Sequence, residues 1–185
     1  MMRKHTRFNY ESIAGHIPPK SSVLDIGAWD GLLGAELHRG LGCEVLNVDV
    51  VDKNKTELPF LVFDGESLPL ADDHFERVLL MYVLHHSAND MALLREARRV
   101  CAPDGRVLVG EDMVEGIGQR LITVGFHIWL WTFTFMGWSG KFRRVEEWRA
   151  RFERAGLEVE EVVLLGPHMG KRLWPRNMLF VLRRR

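Results

Sequence analysis

Cysteine is nearly missing from this chain of 185 residues. Cys43 and Cys101 stand far apart with no companion ligands, which argues against a disulfide framework and against a zinc or other metal site, and casts both as small buried apolar residues. An excess of charge is missing too. The 25 Lys and Arg residues balance 25 Asp and Glu residues, so no overall basic field recruits nucleic acid and no acidic tail is present. The basic opening MMRKHTRFNYES has no apolar run behind it and does not read as a secretory signal, so cytoplasmic residence is the expectation. The length suits a single domain over 1–185, with room for an open sheet covered on both sides.

The stretch that organises the rest is VLDIGAWDG, Val23 to Gly31. Val23 to Ile26 read as a short strand buried on both faces. Gly27 to Gly31 then turn the chain before LLGAEL starts a helix. At such a turn the backbone can approach a ligand closely, and the helix offers free N–H groups. A dinucleotide site needs a third glycine in G-x-G-x-x-G, and none falls at the required place, which disfavours a nicotinamide dehydrogenase. Asp25 and Asp30 would repel a pyrophosphate but suit a ligand carrying an ammonium and a sulfonium.

The remaining pattern alternates strands and helices. Residues 1–19 contain one short helix, NYESIAGHI, ended by Pro18 and Pro19. CEVLNVDVVD is a second buried strand closing at Asp49. That carboxylate lies about 20 residues past the glycines, the position from which it can accept hydrogen bonds from ribose hydroxyls. Pro59 to Phe63 form a third strand ending at Asp64, and Arg77 to Tyr82 a fourth. Ser87 to Asp90 cap a helix whose Leu93, Leu94, Ala97 and Val100 face the sheet, leaving Arg95, Arg98 and Arg99 in water. A turn at Pro103 to Gly105 leads to a fifth strand, Arg106 to Gly110. Arg143 to Glu153 have helical spacing, with Val145, Trp148 and Phe152 on one side. Leu157 to Leu165 and Met178 to Leu182 complete the strands, and Arg183 to Arg185 read as a solvated tail.

The glycine turn, the segment SLPLADDHF and the run LLREARRVCAPDGRVLV together resemble the class I S-adenosylmethionine-dependent methyltransferases, in the branch that acts on small molecules. The turn departs from the family's D-x-G-x-G-x-G at Trp29, where glycine is usual. The resemblance implies an α/β fold with a Rossmann-like seven-stranded sheet, mostly parallel with an antiparallel last strand, and helices on both faces. It implies S-adenosyl-L-methionine as cofactor, held at Asp25, Gly27, Ala28, Trp29, Gly31, Asp49 and Val50, with Asp64, Gly65 and Glu66 at the adenine. Met81, Tyr82 and Val83 would stand beside the methionine part. A leading helix often helps roof the cofactor in this family, and Tyr10 or Arg7 could serve there. His85, His86, Glu111 and His127 are the candidates for a catalytic base, with packing and loop hydrogen bonding as the competing role for the histidines.

Leu121 to Trp138, LITVGFHIWLWTFTFMGW, carry no Lys, Arg, Asp or Glu. The run lies within an insert, 112–142, between the fifth and sixth strands of one sheet, so a single membrane crossing would put neighbouring strands on opposite sides of a bilayer. Three roles stay open: a lid over a greasy acceptor, peripheral membrane contact, and core or homodimer packing. The expected activity is methyl transfer to a small apolar acceptor. The competing reading is a non-catalytic binding or interaction module that keeps the fold.

Overall fold

The computed structural model describes residues 4–114, 125, 143–165 and 176–185. The elements run in the order α1 (Lys4–Ile13), β1 (Ser22–Ile26), α2 (Leu32–Leu41), β2 (Glu44–Asp49), β3 (Phe60–Val62), β4 (Phe75–Met81), α3 (Asp90–Val100), β5 (Cys101–Met113), α4 (Val145–Arg154), β6 (Leu157–Leu165) and β7 (Arg176–Arg184). The strands form one seven-stranded sheet in the order β3-β2-β1-β4-β5-β7-β6. β1 to β5 are mutually parallel, and β7 is antiparallel to both β5 and β6. This is the Rossmann-like α/β sheet that the resemblance implies.

Two apolar layers flank the sheet because each central strand sends alternate side chains to opposite faces. On one face Val23, Leu79, Leu108 and Leu179 pack with Ile13 of α1 and with Leu33 and Leu37 of α2. On the other, Leu24, Ile26, Val78 and Leu80 pack with Leu93, Leu94 and Ala97 of α3 and with Trp148 and Phe152 of α4. Trp148 and Phe152 stack at 5.8 Å with no exposed surface, each burial stabilising the fold by roughly 1.5–3 kcal/mol. α3 starts where the Asn89 side chain accepts from the Ala92 N–H at 3.1 Å, and α4 where the Glu147 carboxylate accepts from the Arg144 N–H at 2.7 Å.

Several expectations need correction. β5 begins at Cys101 rather than Arg106, because Cys101 pairs with Phe75 and the Pro103 to Gly105 turn is absorbed as a register shift in the ladder. The arginines of α3 do not form a simple wet face. Arg99 binds the carboxylates of Glu96 and Asp72 and the carbonyls of Leu68 and Leu70, so it holds the β3–β4 connection, while Arg98 donates to the Gly156 carbonyl at 3.0 Å. The last three arginines are also engaged: Arg183 with Glu158, Arg184 with Asp73 and the Cys101 carbonyl, Arg185 with Glu153. The leading helix is α1 from Lys4, ahead of NYESIAGHI, with Tyr10 packed on α2 and Arg7 in solvent. A Cβ at Gly40 would collide with the Tyr10 hydroxyl and lie 3.0 Å from its Cζ, so Tyr10 packs on α2, and Arg7 pairs with Glu11 at 2.7 Å in solvent.

His127 and the run 121–138 lie outside the described residues, apart from Gly125. The insert's described ends meet: Met113 bridges Arg143, so the chain leaves and re-enters the fold at one place. Arg143 is then fixed by Asp90 at 2.8 Å, with Arg151 on the same carboxylate. Among the described residues no helix is long and apolar enough to cross a membrane.

Candidate active site

Parallel strands of an open α/β sheet end in a common crevice, and here the carboxyl ends of β1, β2 and β4 converge on the glycine turn. The turn is tied down from β2: the Gly27 and Ala28 N–H groups donate to the Val48 carbonyl at 2.8 and 3.1 Å, and Gly31 N–H closes onto Ala28 at 2.9 Å. Gly27 has φ 76°. A Cβ there would collide with one methyl of Val83 and stand 3.0 Å from the other. The missing side chain therefore lets the loop after β4 close against the turn.

Asp25 is 2% exposed at the carboxyl end of β1, and its Oδ2 accepts no hydrogen bond. Burial pushes its carboxyl up to about 7, and the nearby charge of Asp49 adds to the shift. Asp49, ending β2, accepts from the Trp29 N–H at 2.8 Å on one oxygen and from the Val50 N–H at 2.7 Å on the other. Asp64, just past β3, accepts from the Ser67 and Glu66 N–H groups at 2.7 and 2.8 Å, bonds that hold its carboxyl below the usual range. Asp64 also shapes its own loop, in which Gly65 sits at φ 87° and Glu66 receives Asn89 Nδ2 at 3.5 Å. Trp29 adopts the left-handed region at φ 53°, a conformation costly for a bulky residue. The residue is 42% exposed, with the Lys53 ammonium over its ring, 3.7 Å from the centroid.

The next segment adds a buried histidine and carboxylate. Met81 is buried at the end of β4, and Tyr82 follows at φ 61°, its hydroxyl held in the neutral form by burial and then by the charges of Asp112 and Glu111. Glu111, on β5, has no exposed surface. One oxygen accepts from the Leu84 N–H at 2.8 Å and the His85 N–H at 3.3 Å, and the other meets His85 Nδ1 at 2.6 Å. Burial alone would lower the affinity of His85 for a proton, but the charge of Glu111, its hydrogen bond and Asp112 together raise it. His86 lies beside this pair, with ring centroids 4.1 Å apart. Asp112 is raised to about 6, chiefly by burial.

Sequence reasoning missed two residues of this region, His5 and Asn9 on α1. The His5 ring lies edge-on to Tyr82 at 6.1 Å, and burial lowers its pKa against a smaller opposing effect of Asp30. Asn9 is 6% exposed, its Nδ2 is 3.4 Å from His5 Nδ1, and its Oδ1 accepts no hydrogen bond. Their signal was present only as polar residues at helical spacing, His5 and Asn9 one turn apart ahead of Ile13. A groove of ≈ 600 Å³ opens elsewhere, along Ser22, Glu44, Leu58, Pro59, His74 and Phe75 at the amino ends of β1, β2 and β4. It holds none of the carboxylates above; the buried Asp25 and Glu111 stand toward the other edge, near the carboxyl ends of β1 and β5. Among the described residues no three His, Cys, Asp or Glu side chains are grouped to hold a metal ion.

Residues 24–109 match a family model described as a methyltransferase domain. The chain is 26% identical over 163 residues to methyltransferase GfsG of Streptomyces halstedii, covering 80% of this chain and 55% of that protein. It is 34% identical over 99 residues to demethylmenaquinone methyltransferase of Mycobacterium tuberculosis, covering 51% and 42%. The chain thus spans about half the length of these curated relatives. A Haloferax volcanii methyltransferase solved in complex with the Trm112 methyltransferase activator has the same fold, with TM-score 0.76 and 20% identity over 98% of this chain and 90% of that one.

Proposed function

Since the chain belongs to the class I methyltransferases, we propose that it transfers a methyl group from S-adenosylmethionine to a small apolar acceptor. The observation that carries this reading is the buried, unpartnered Oδ2 of Asp25 beside Asp49 and the glycine turn. A buried carboxylate lacking a donor is costly, and a cationic ligand removes that cost. The residues present fit such a ligand. Asp25 faces its ammonium, and Asp49 keeps lone pairs beyond its backbone bonds for the ribose hydroxyls. Gly65 and Glu66 take the adenine edge beside Asp64, while Met81, Tyr82 and Val83 wall the methionine side, with Ala28, Trp29, Gly31 and Val50 framing the turn. When bound, S-adenosylmethionine supplies a methyl group already activated by its sulfonium.

What the chain must do is align the acceptor for in-line displacement and exclude water. For an oxygen or nitrogen acceptor, His85 is the base. Its Nδ1 meets Glu111 at 2.6 Å, a contact that fixes the ring. Glu111 is a positioning residue in this reading, its oxygens occupied by His85 and two backbone N–H groups, and His86 packs beside the pair. The apolar character of the acceptor rests on the uncharged run 121–138 and on its insert springing from beside Asp112.

Calorimetry with S-adenosylmethionine and S-adenosylhomocysteine tests the reading, followed by labelled methyl transfer into a cell extract. A folded protein that binds neither nucleoside is a non-catalytic module that has kept the fold.

A further inference from the structure

We propose that Asn9 of α1 is a cofactor-positioning residue that works with Asp25 to seat the amino group of the donor's amino-acid tail. The inference rests on the methyl-donor reading above and adds a residue that the glycine turn does not contain.

α1 lies across the sheet in a defined direction. At its carboxyl end Ile13 packs in the same apolar layer as Val23, and the following His16 carbonyl accepts from Arg77 Nε at 2.9 Å. At its amino end the His5 ring reaches Tyr82, just beyond β4. The helix therefore runs antiparallel to β1 and β4. Going from Ile13 back to Asn9 advances ~6 Å along a helix, and going from Val23 to Asp25 advances ~6.6 Å along a strand. The two steps match, and Val23 and Asp25 share a face of the sheet because they are two residues apart. Thr6, Asn9 and Ile13 form the buried stripe of α1. Asn9 is thus level with Asp25 and on the side it faces.

The two side chains share an unusual feature. Asn9 Oδ1 and Asp25 Oδ2 are both buried, and both accept no hydrogen bond. Buried acceptors are almost always satisfied, so two orphans on facing elements call for a donor between them. One that carries several N–H groups and a positive charge satisfies both and compensates Asp25. An ammonium has that chemistry, and it is on the amino-acid tail of the donor rather than on its nucleoside.

The test measures binding of two thioether ligands, both without the sulfonium charge, by calorimetry to the unaltered protein and to Asn9→Ala. S-adenosylhomocysteine carries the ammonium, and 5′-methylthioadenosine lacks the whole amino-acid tail. Asn9→Ala is expected to weaken S-adenosylhomocysteine about tenfold, the loss of one charge-assisted bond, while methylthioadenosine stays within about twofold. Equal losses for both ligands, or no loss for either, would overturn the proposal. An independent arm needs no variant: the deaminated analogue of S-adenosylhomocysteine should bind the unaltered protein at least tenfold more weakly than the parent, and equal binding would overturn it. If the unaltered protein binds methylthioadenosine but gains nothing from the amino-acid tail, this proposal fails and the donor reading survives. Binding of neither ligand removes both.

Discussion

Replacing Glu111 tests whether a proton is held between β4 and β5. Glu111→Ala leaves the Leu84 and His85 N–H groups and the His85 imidazole buried without their acceptor. Breaking a buried pair from one side costs about 3–5 kcal/mol, equivalent to a fall of roughly 6–20 °C in Tm for a chain of this size. Glu111→Gln is the sharper variant, because its carbonyl can still accept from both backbone groups. The raised proton affinity of His85 stabilises the native protein fully below the unfolded pKa of about 6.5, and that contribution is lost as pH rises through the folded value. With Gln, burial acts on His85 against the charge of Asp112 only, and as the largest effect it lowers the pKa, so the variant loses stability as pH falls. The two dependences have opposite signs. Urea unfolding at 25 °C should give a gap of roughly 2–3 kcal/mol between native and Gln proteins at pH 6, from the lost charge-assisted bond, narrowing by at least about 1 kcal/mol at pH 9. A gap that is constant, or that widens toward alkaline pH, refutes the buried imidazolium and carboxylate.

Three further outcomes follow from the same geometry. Asp25→Asn should raise the urea midpoint above pH 7, because a carboxyl lifted to about 7 loses its stabilising contribution as pH climbs from ~4, with an upper bound of roughly 4 kcal/mol, and it should weaken S-adenosylmethionine binding by calorimetry. In the unaltered protein, affinity for that cation should rise between pH 6 and 8 with proton release to buffer; an affinity independent of pH would contradict the shifted Asp25. Gly27→Ala should cost about 2–4 kcal/mol in urea unfolding, combining a positive φ with the Val83 collision, and should lower nucleoside affinity more than tenfold; a neutral effect would mean the loop after β4 is not set by this contact.

The strands were legible where apolar runs had sharp borders. Leu157 to Leu165 lies between a helix-ending glycine and the Gly-Pro pair at 166–167 of the sequence, and its bounds match β6. β5 was read too short because Pro and Gly at 103 and 105 signal a turn, whereas a parallel neighbour can absorb such an excursion as a bulge. Asp25, Asp49 and the glycines were readable because a strand and a turn place them by local rules alone. Arg99, Arg184 and His5 were not, since Leu70, the Cys101 carbonyl and Tyr82 lie on other elements and no period in the chain encodes these contacts; the burial of Asn9 likewise depends on how α1 docks. Glu111 was readable as a residue above the site, but its engagement by His85 and Leu84 required the β4–β5 register. The same applies to Trp29, whose departure from glycine was visible while its outward placement under Lys53 was not.

The most direct measurement is a crystal structure of the chain with S-adenosylhomocysteine. The expected result is a nucleoside at the carboxyl edge of the sheet, with ribose hydroxyls on Asp49, adenine beside Asp64 and Gly65, and an ammonium between Asp25 and Asn9. A ligand seated instead in the groove along Glu44, Pro59 and Phe75, or a carboxyl-edge crevice left unaltered at saturating ligand, would contradict it.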